Sequence, residues 1–146
     1  MRIPSVCVAL ALLVLTGCSG GGAADVLIQP VGNTIAYEQT AFTVSAGQTV
    51  NLTFENLATM EVMRHNVIIL NTDDAAVADR VGTAGMMAAD SDYIPEDDAI
   101  LAYTAMAGPG ETKTVTFTAP TEPGSYMYIC TYPGHSTLMR GIMTVQ

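Results

Sequence analysis

The chain has 146 residues, of which 49% are hydrophobic, and this length is enough for one domain with its own core. Fourteen acidic residues against five lysines and arginines give it a net charge of -9. This balance excludes binding to the nucleic-acid backbone, which needs clustered lysine and arginine, and it favours a basic protein partner.

The first eighteen residues have the pattern of an export signal. Arg2 gives a positive start, the apolar run VCVALALLVL follows, and LTGC ends the segment at Cys18. LTGC resembles the end of a bacterial lipoprotein signal, in which cleavage leaves a cysteine that is then lipidated. We therefore expect a signal peptide over residues 1–17 and lipidation of Cys18, with an ordinary secretory signal as the alternative. A lipidated Cys18 would anchor the protein to a membrane, in the periplasm or at another extracytoplasmic face.

The cysteines also bear on how the mature chain is protected from oxidation. Cys7 lies in the signal and Cys18 at its end, so Cys130 would be the only thiol of the mature domain. A single cysteine outside the cytoplasm has no disulfide partner, and burial or a metal must protect it. Residues 18–24 form a Gly-rich tether, and the domain is predicted to span residues 25–146.

Short strands of alternating polarity dominate the predicted domain. The segments FTVS, QTVNLTFEN and TKTVTFTAP place apolar side chains on one face, as with Val50, Leu52 and Phe54. Ala-Gly and Pro-Gly pairs between these segments are typical of turns. The pattern predicts an all-β chain folded as a β-sandwich.

One Ala-rich segment, TDDAAVADRVGTAGMMAAD, interrupts the strands. Thr72 or Asp73 could cap a helix there, because their side-chain oxygens can accept from the first free backbone N–H groups. We expect a short helix from about Asp74 to Arg80, with a further helical stretch after it as an open alternative, in a helical insertion around residues 73–88.

The segment CTYPGHSTLMRG gathers Cys130, His135 and Met139 within a few residues, and the only other histidine, His65, precedes an apolar run of strand character. Two imidazoles, one thiolate and one thioether are the donors of a blue-copper electron-transfer site, with the thioether as a weak axial ligand. Taken singly, His65 or Cys130 would more often be an ordinary buried side chain. Their joint occurrence favours a metal site.

On these residues the chain resembles the cupredoxin family, and within it the azurins. Four residues separate the cysteine and histidine of CTYPGHSTLM, and three separate the histidine and methionine, as in the azurin ligand loop. The upstream HN, the AGMM stretch and YIPEDDAILAYTAMAGPGE are also azurin-like. The resemblance implies a Greek-key β-sandwich that binds one type 1 copper ion and transfers single electrons without being an enzyme. The implied ligands are His65, Cys130 and His135 in the plane and Met139 on the axis.

The resemblance also implies roles for residues next to the ligands. Asn66 is expected to hold the ligand loop and to donate a hydrogen bond toward the Cys130 sulfur. Arg64 departs from the azurin pattern, which has glycine before the first ligand histidine. Whether the Arg64 carbonyl approaches copper is therefore left open.

The edge of His135 is implied as the exit for electrons, through a surrounding apolar surface. The candidates for this surface are Tyr132, Met63, Met86 and Leu138. Expected partners are redox proteins such as a c-type cytochrome or a membrane redox complex, with the lipid anchor as the membrane contact. Neither nucleic acid nor a small-molecule substrate is expected.

Three other functions compete with electron transfer. A copper-handling lipoprotein, a chaperone or scavenger, would use the same ligands in an exposed and exchangeable site. An enzyme with Cys130 as nucleophile and His135 as base would need an orienting carboxylate, which the loop does not provide. A purely structural β-sandwich would leave the gathering of ligands unexplained.

Overall fold

The computed structural model describes residues 22–146, in which strands form two sheets. The strands are β1 (Ala24–Ile28), β2 (Ala41–Val44), β3 (Thr49–Glu55), β4 (Ile68–Leu70), β5 (Ile100–Tyr103), β6 (Thr112–Thr118), β7 (Gly124–Ile129) and β8 (Arg140–Val145). One sheet has the order β1-β3-β6 and the other the order β2-β8-β7-β4-β5. One helix, α1 (Ala75–Met86), and a single 3-10 turn lie between β4 and β5.

The main core lies between the two sheets. On β3, Val50, Leu52 and Phe54 are fully buried, as their alternation predicts, and β3 pairs antiparallel with β6. They belong to one apolar cluster with side chains of the other sheet, including Tyr128 and Met143. This arrangement confirms the predicted β-sandwich with one short helix.

A second apolar cluster explains why β4 is buried on both faces. Ile68 and Leu70 of β4 and Ile129 of β7 pack against Ala78 and Val81 of α1. The helix therefore covers the outer face of the second sheet, opposite the main core. This position brings α1 close to the segment that follows β7.

The cap of α1 differs from the prediction. Asp74, rather than Thr72 or Asp73, is the N-cap, and its carboxylate accepts from the backbone N–H of Ala76 at 2.7 Å. The Thr72 hydroxyl instead accepts from the backbone N–H of Asp74 at 3.1 Å. Thr72 thus holds the backbone of Asp74, Asp74 caps the helix, and the helix begins at Ala75.

Helix α1 extends beyond the short helix expected from Asp74 to Arg80 and occupies most of the helical insertion predicted around residues 73–88. The helix continues past Arg80 to Met86, although Gly82 and Gly85 each weaken a helix by about 1 kcal/mol relative to alanine. Both glycines are buried. Tertiary packing therefore outweighs their low helix propensity.

Several predictions fall outside the described residues, namely the signal peptide over residues 1–17, lipidation of Cys18 and most of the tether. Strand β1 begins at Ala24, the last residue assigned to that tether. Within residues 22–146, no helix is long and apolar enough to cross a membrane.

Candidate metal centre

The sheet register brings the predicted ligands to one end of the sandwich. Strands β4 and β7 pair antiparallel with Ile68 opposite Ile129, so the residues before β4 meet those after β7. His65 lies just before β4, where it forms an isolated bridge with Ala107, and Cys130 directly follows β7. Residues 130–139, which we call the ligand loop, connect β7 to β8 above the core.

The donor atoms of His65, Cys130 and His135 form a compact triangle. The two Nδ1 atoms lie 3.1 Å apart, and the Cys130 Sγ lies 3.9 Å from His65 Nδ1 and 3.7 Å from His135 Nδ1. His65 and Cys130 are fully buried, and 4% of the His135 surface is exposed. Among residues 22–146, this is the one group of three or more such donors close enough to hold a metal ion.

The size of the triangle fits a trigonal metal ion. For metal–nitrogen bonds of about 2.0 Å and a metal–sulfur bond of about 2.3 Å, the nitrogen–nitrogen edge is about 3.5 Å and the nitrogen–sulfur edges are about 3.7 Å. The observed edges agree with these values to within about 0.4 Å. Two nitrogens and one soft sulfur also match the donors that copper prefers.

Hydrogen bonds within the protein leave His65 incompletely satisfied. Its Nε2 is the one buried side-chain nitrogen or oxygen in the described part of the chain without a hydrogen-bond partner. Its Nδ1 meets only His135 and Cys130. The deficit at Nε2, of about 1–3 kcal/mol for an unsatisfied buried polar group, is separate from the metal site, and Nδ1 is the nitrogen that faces the other two donors and could bind a metal.

Burial also sets the protonation of the three side chains. It lowers the pKa of His65 to about 4, with a further contribution from repulsion by His135, and it lowers the pKa of His135 as well. Burial raises the pKa of the Cys130 thiol to about 12, although the backbone N–H groups of Asn66 and Tyr132 act in the opposite direction. Both imidazoles are therefore neutral and ready to coordinate at pH 7, while the thiol must lose a proton when a metal binds.

A sequence model of copper-binding proteins of the plastocyanin/azurin family matches residues 24–146. The chain belongs to this family of copper-binding proteins. The match confirms the cupredoxin resemblance, and copper is the cofactor that the His65–Cys130–His135 group is suited to hold.

Relatives of this cupredoxin cover most of its length. Auracyanin-A of Chloroflexus aurantiacus is 38% identical over 160 residues, which include 99% of this chain and 96% of auracyanin-A. Azurin of Pseudomonas aeruginosa is 39% identical over 102 residues, or 67% of each chain. The solved structure of auracyanin A, described as a blue copper protein, superposes with a TM-score of 0.79 at 40% identity, covering 86% of this chain and 100% of that one. The predicted resemblance to azurins is thus confirmed. The similarity to auracyanin-A covers more of the chain than the similarity to azurin does.

Asn66 ties the first histidine to the ligand loop of this cupredoxin. Its side-chain amide donates to the Thr131 hydroxyl at 2.9 Å, and its side-chain oxygen accepts from the Thr131 backbone N–H at 2.9 Å. The Tyr37 hydroxyl donates to the Asn66 carbonyl at 2.5 Å. The group of Asn66 that faces the Cys130 sulfur is its backbone N–H.

Met139 lies at the end of the ligand loop and is fully buried in the main core cluster with Cys130. Its backbone N–H donates to the His135 carbonyl at 2.8 Å, and its carbonyl accepts from the Cys130 N–H at 3.1 Å. These bonds close the loop into one compact turn. Gly134, with a φ of +82°, supplies the left-handed residue that the turn requires.

The surroundings of His135 are partly those predicted. The Tyr132 ring lies 5.0 Å from the His135 ring, Leu138 is 69% exposed, and Met86 lines a surface depression with Gly134. Met63 is only 8% exposed, so it contributes little to an outer surface; its carbonyl accepts from the Asn56 side chain.

The Arg64 side chain extends into solvent. Its guanidinium lies 3.8 Å from the Asp92 carboxylate, and the exposed fractions of the two side chains are 40% and 59%. An exposed ion pair of this kind contributes little to stability. The charge that Arg64 adds beside His65 is therefore partly balanced by Asp92.

Sequence patterns did not reveal Thr131 and Asn56 as supports of the site. The Asn56 side-chain amide donates to the carbonyl of Met63, two residues before His65, and to the carbonyl of Ala107, which forms the bridge with His65. Asn56 is 51 positions from Ala107, and Asn66 is 65 positions from Thr131. No local sequence pattern marks hydrogen bonds between residues so far apart. The position of Thr131 directly after Cys130 was the available signal.

Proposed function

We propose that the protein is a one-electron carrier in which His65, Cys130 and His135 bind one copper ion, with Met139 as the axial ligand. The observation that supports this most strongly is the buried triangle of two imidazole nitrogens and one sulfur, with edges of 3.1 to 3.9 Å. This donor set is that of a blue-copper site. The place of Met139, at the end of the same turn, suits an axial thioether.

Copper, when bound, supplies exchange of a single electron between its two common oxidation states. The chain keeps the ligands in place during this exchange, because each belongs to a hydrogen-bonded segment. His65 exchanges both backbone hydrogen bonds with Ala107, at 3.1 and 2.8 Å, and the ligand loop is closed by the bonds of Met139. Ligands that do not move keep the reorganisation energy of electron transfer low.

The ligands differ in their access to the surface. His65 and Cys130 are fully buried, so a partner cannot contact either side chain. His135 reaches the surface beside Tyr132 and the exposed Leu138. Electrons therefore enter and leave by way of His135, across a docking surface that includes Leu138.

The partners that fit this surface are redox proteins such as a c-type cytochrome or a membrane redox complex. The net charge of -9 favours a basic partner through electrostatic steering. The sequence signal that ends at Cys18 supports lipidation there and a position at an extracytoplasmic membrane face. The domain over residues 25–146 then acts close to the membrane.

A copper-handling role is the alternative, and burial argues against it. A chaperone must release its metal to a partner, which requires ligands that the partner can reach. His65, Cys130 and Met139 are all fully buried. The same burial keeps the Cys130 thiol away from a substrate and so argues against nucleophilic catalysis.

Reductive titration of the copper-loaded protein tests the carrier function. We expect reversible uptake of about one electron per copper ion, and copper retention during an hour with an excess of chelator. Copper that the chelator removes within minutes from both oxidation states would instead indicate a copper-handling protein. Irreversible loss of copper on reduction would contradict the carrier function.

A further inference from the structure

Each residue that directly follows a proposed ligand is held by a contact outside the ligand set. Asn66 follows His65 and binds Thr131, which itself follows Cys130. Ser136 follows His135, and Arg140 follows Met139. The three residues on the Cys130 side, Thr131, Ser136 and Arg140, all meet α1.

The first of these contacts involves Gly82. This helix residue is buried, and a Cβ added to it would collide with the Oγ and Cβ atoms of Ser136. The helix backbone thus touches the side chain next to His135, and glycine is the residue that leaves room for it.

The second contact involves Gly85, three residues further along the same helix face. A Cβ added there would lie 2.7 Å from the Thr131 Cβ and 3.1 Å from the Tyr93 carbonyl oxygen. The Thr131 hydroxyl donates to that same Tyr93 carbonyl at 2.6 Å, and this hydrogen bond restrains the Thr131 side chain against the helix. The residue next to Cys130 is therefore fixed between α1, Tyr93 and Asn66.

The third contact is made by Arg140. Its Nε donates to the Ser136 carbonyl, and its guanidinium pairs with the Asp79 carboxylate of α1. Asp79, Gly82 and Gly85 are spaced by three residues and share one face of the helix. That face therefore contacts the residues that directly follow Cys130, His135 and Met139.

We propose that α1 positions the copper-ligand loop, with Gly82 and Gly85 as positioning residues that let the helix backbone press against Ser136 and Thr131. The two glycines weaken this helix by about 1 kcal/mol each, but they allow the helix backbone to approach the Ser136 and Thr131 side chains closely. The inference rests on the proposed copper function, because it assigns these glycines a role in holding copper ligands.

Copper affinity of the Gly82→Ala protein, measured by competition with a chelator, tests this role. We expect affinity about 10- to 100-fold lower than in the wild type, the usual effect of disturbing groups behind the ligands, with altered copper hyperfine splitting in electron paramagnetic resonance. Gly124→Ala is the matched control, since a Cβ there meets only the Tyr126 ring at 3.9 Å. It should change neither property.

Removal of the colliding side chain provides a rescue. In the Gly82→Ala, Ser136→Gly double variant we expect affinity and hyperfine splitting to return toward those of Ser136→Gly alone. Asp79→Asn, which leaves the helix backbone in place, should weaken copper binding in the same direction and by a smaller factor. It keeps the inference testable if Gly82→Ala does not fold.

The metal-free protein gives a readout that does not depend on copper. Amide hydrogen exchange over residues 131–139 should be faster in Gly82→Ala than in the wild type and unchanged in Gly124→Ala. A Gly82→Ala protein with raised stability, unchanged loop exchange and unchanged copper affinity would overturn the inference, because alanine would then only improve the helix. A wild type that lacks a blue-copper spectrum would overturn the proposed function, while loop exchange would still measure the contact with α1.

Discussion

The Nδ1 atoms of His65 and His135 lie 3.1 Å apart although seventy positions separate the two residues in sequence. The pairing of β4 with β7 brings them together, and burial keeps both rings neutral at pH 7. Protonation of both rings would place two positive charges side by side with no carboxylate between them. One metal cation bound by both nitrogens avoids this repulsion.

The metal-free protein should lose stability as the pH falls from 7.5 to 5.5. The pKa of His65 is lowered to about 4 in the folded state, below its usual value of 6.5, and that of His135 is lowered too. Folded histidines therefore stay neutral while unfolded ones take up protons. Their stabilising effect is present above pH 6.5 and is lost as the pH falls toward 4.

Urea unfolding of the metal-free protein at several pH values measures this effect. The chain has only two histidines, and histidine is the side chain whose ordinary pKa, about 6.5, lies between pH 5.5 and 7.5, so this window reports mainly on the pair. In His65→Gln the dependence on pH should become weaker. A free energy of unfolding that stays constant from pH 7.5 to 5.5 in the wild type would contradict the buried neutral pair.

Met139→Leu should keep the blue colour of the copper-loaded protein and raise its midpoint potential. Leucine has nearly the same volume as methionine, so the buried site should remain packed. Loss of the weak thioether donor destabilises Cu(II) more than Cu(I), which favours reduction. Potentiometric titration measures the change.

Met143→Leu is the matched control for the axial ligand. Met143 is also fully buried in the same core cluster, but it lies within β8 opposite Tyr126. Its replacement should leave the potential where it is. Equal shifts in both variants would show that Met139 acts only as a core residue.

Asn66→Ala should destabilise the protein by about 1–3 kcal/mol, because it leaves the buried Thr131 N–H without its partner. Asn51→Ala removes a half-buried side chain whose hydrogen bonds with Asp25 and Thr116 lie at the surface, and it should cost clearly less. Urea unfolding of both metal-free variants gives the comparison. A loss in Asn66→Ala no greater than that in Asn51→Ala would contradict a stabilising link between His65 and the ligand loop beyond that of a surface hydrogen bond.

Leu138→Asp should slow electron self-exchange of the copper-loaded protein by about tenfold or more, since it places like charges where two copies meet. Leu27→Asp adds the same charge at a side chain that is 47% exposed on β1 of the other sheet. Nuclear magnetic resonance line broadening measures both rates. A docking surface at His135 requires that only the Leu138 variant be strongly slowed.

The sequence indicated the residues of the candidate metal site better than the residues that hold them in place. Period-two alternation was sufficient for β3, and the scarcity of histidine and cysteine singled out His65, Cys130 and His135, which the structure brings together. The axial role of Met139 and the anchor at Cys18 stay predictions.

The helical insertion around residues 73–88 was predicted, but not that one unbroken helix runs through it. Gly82 and Gly85 are poor helix formers, so sequence propensity left the continuation past Arg80 open. Their burial against Thr131 and Ser136 depends on how the loop after β7 meets the helix in three dimensions. Such tertiary contacts leave no periodic trace in the sequence.

The visible absorption spectrum of the copper-loaded protein tests the central claim most directly. A trigonal site with the Cys130 thiolate predicts an intense blue charge-transfer band with one copper ion per chain, and Cys130→Ser should abolish it. A stoichiometric Cu(II) complex that shows only a weak band, or a band that survives Cys130→Ser, would contradict copper coordination by His65, Cys130 and His135.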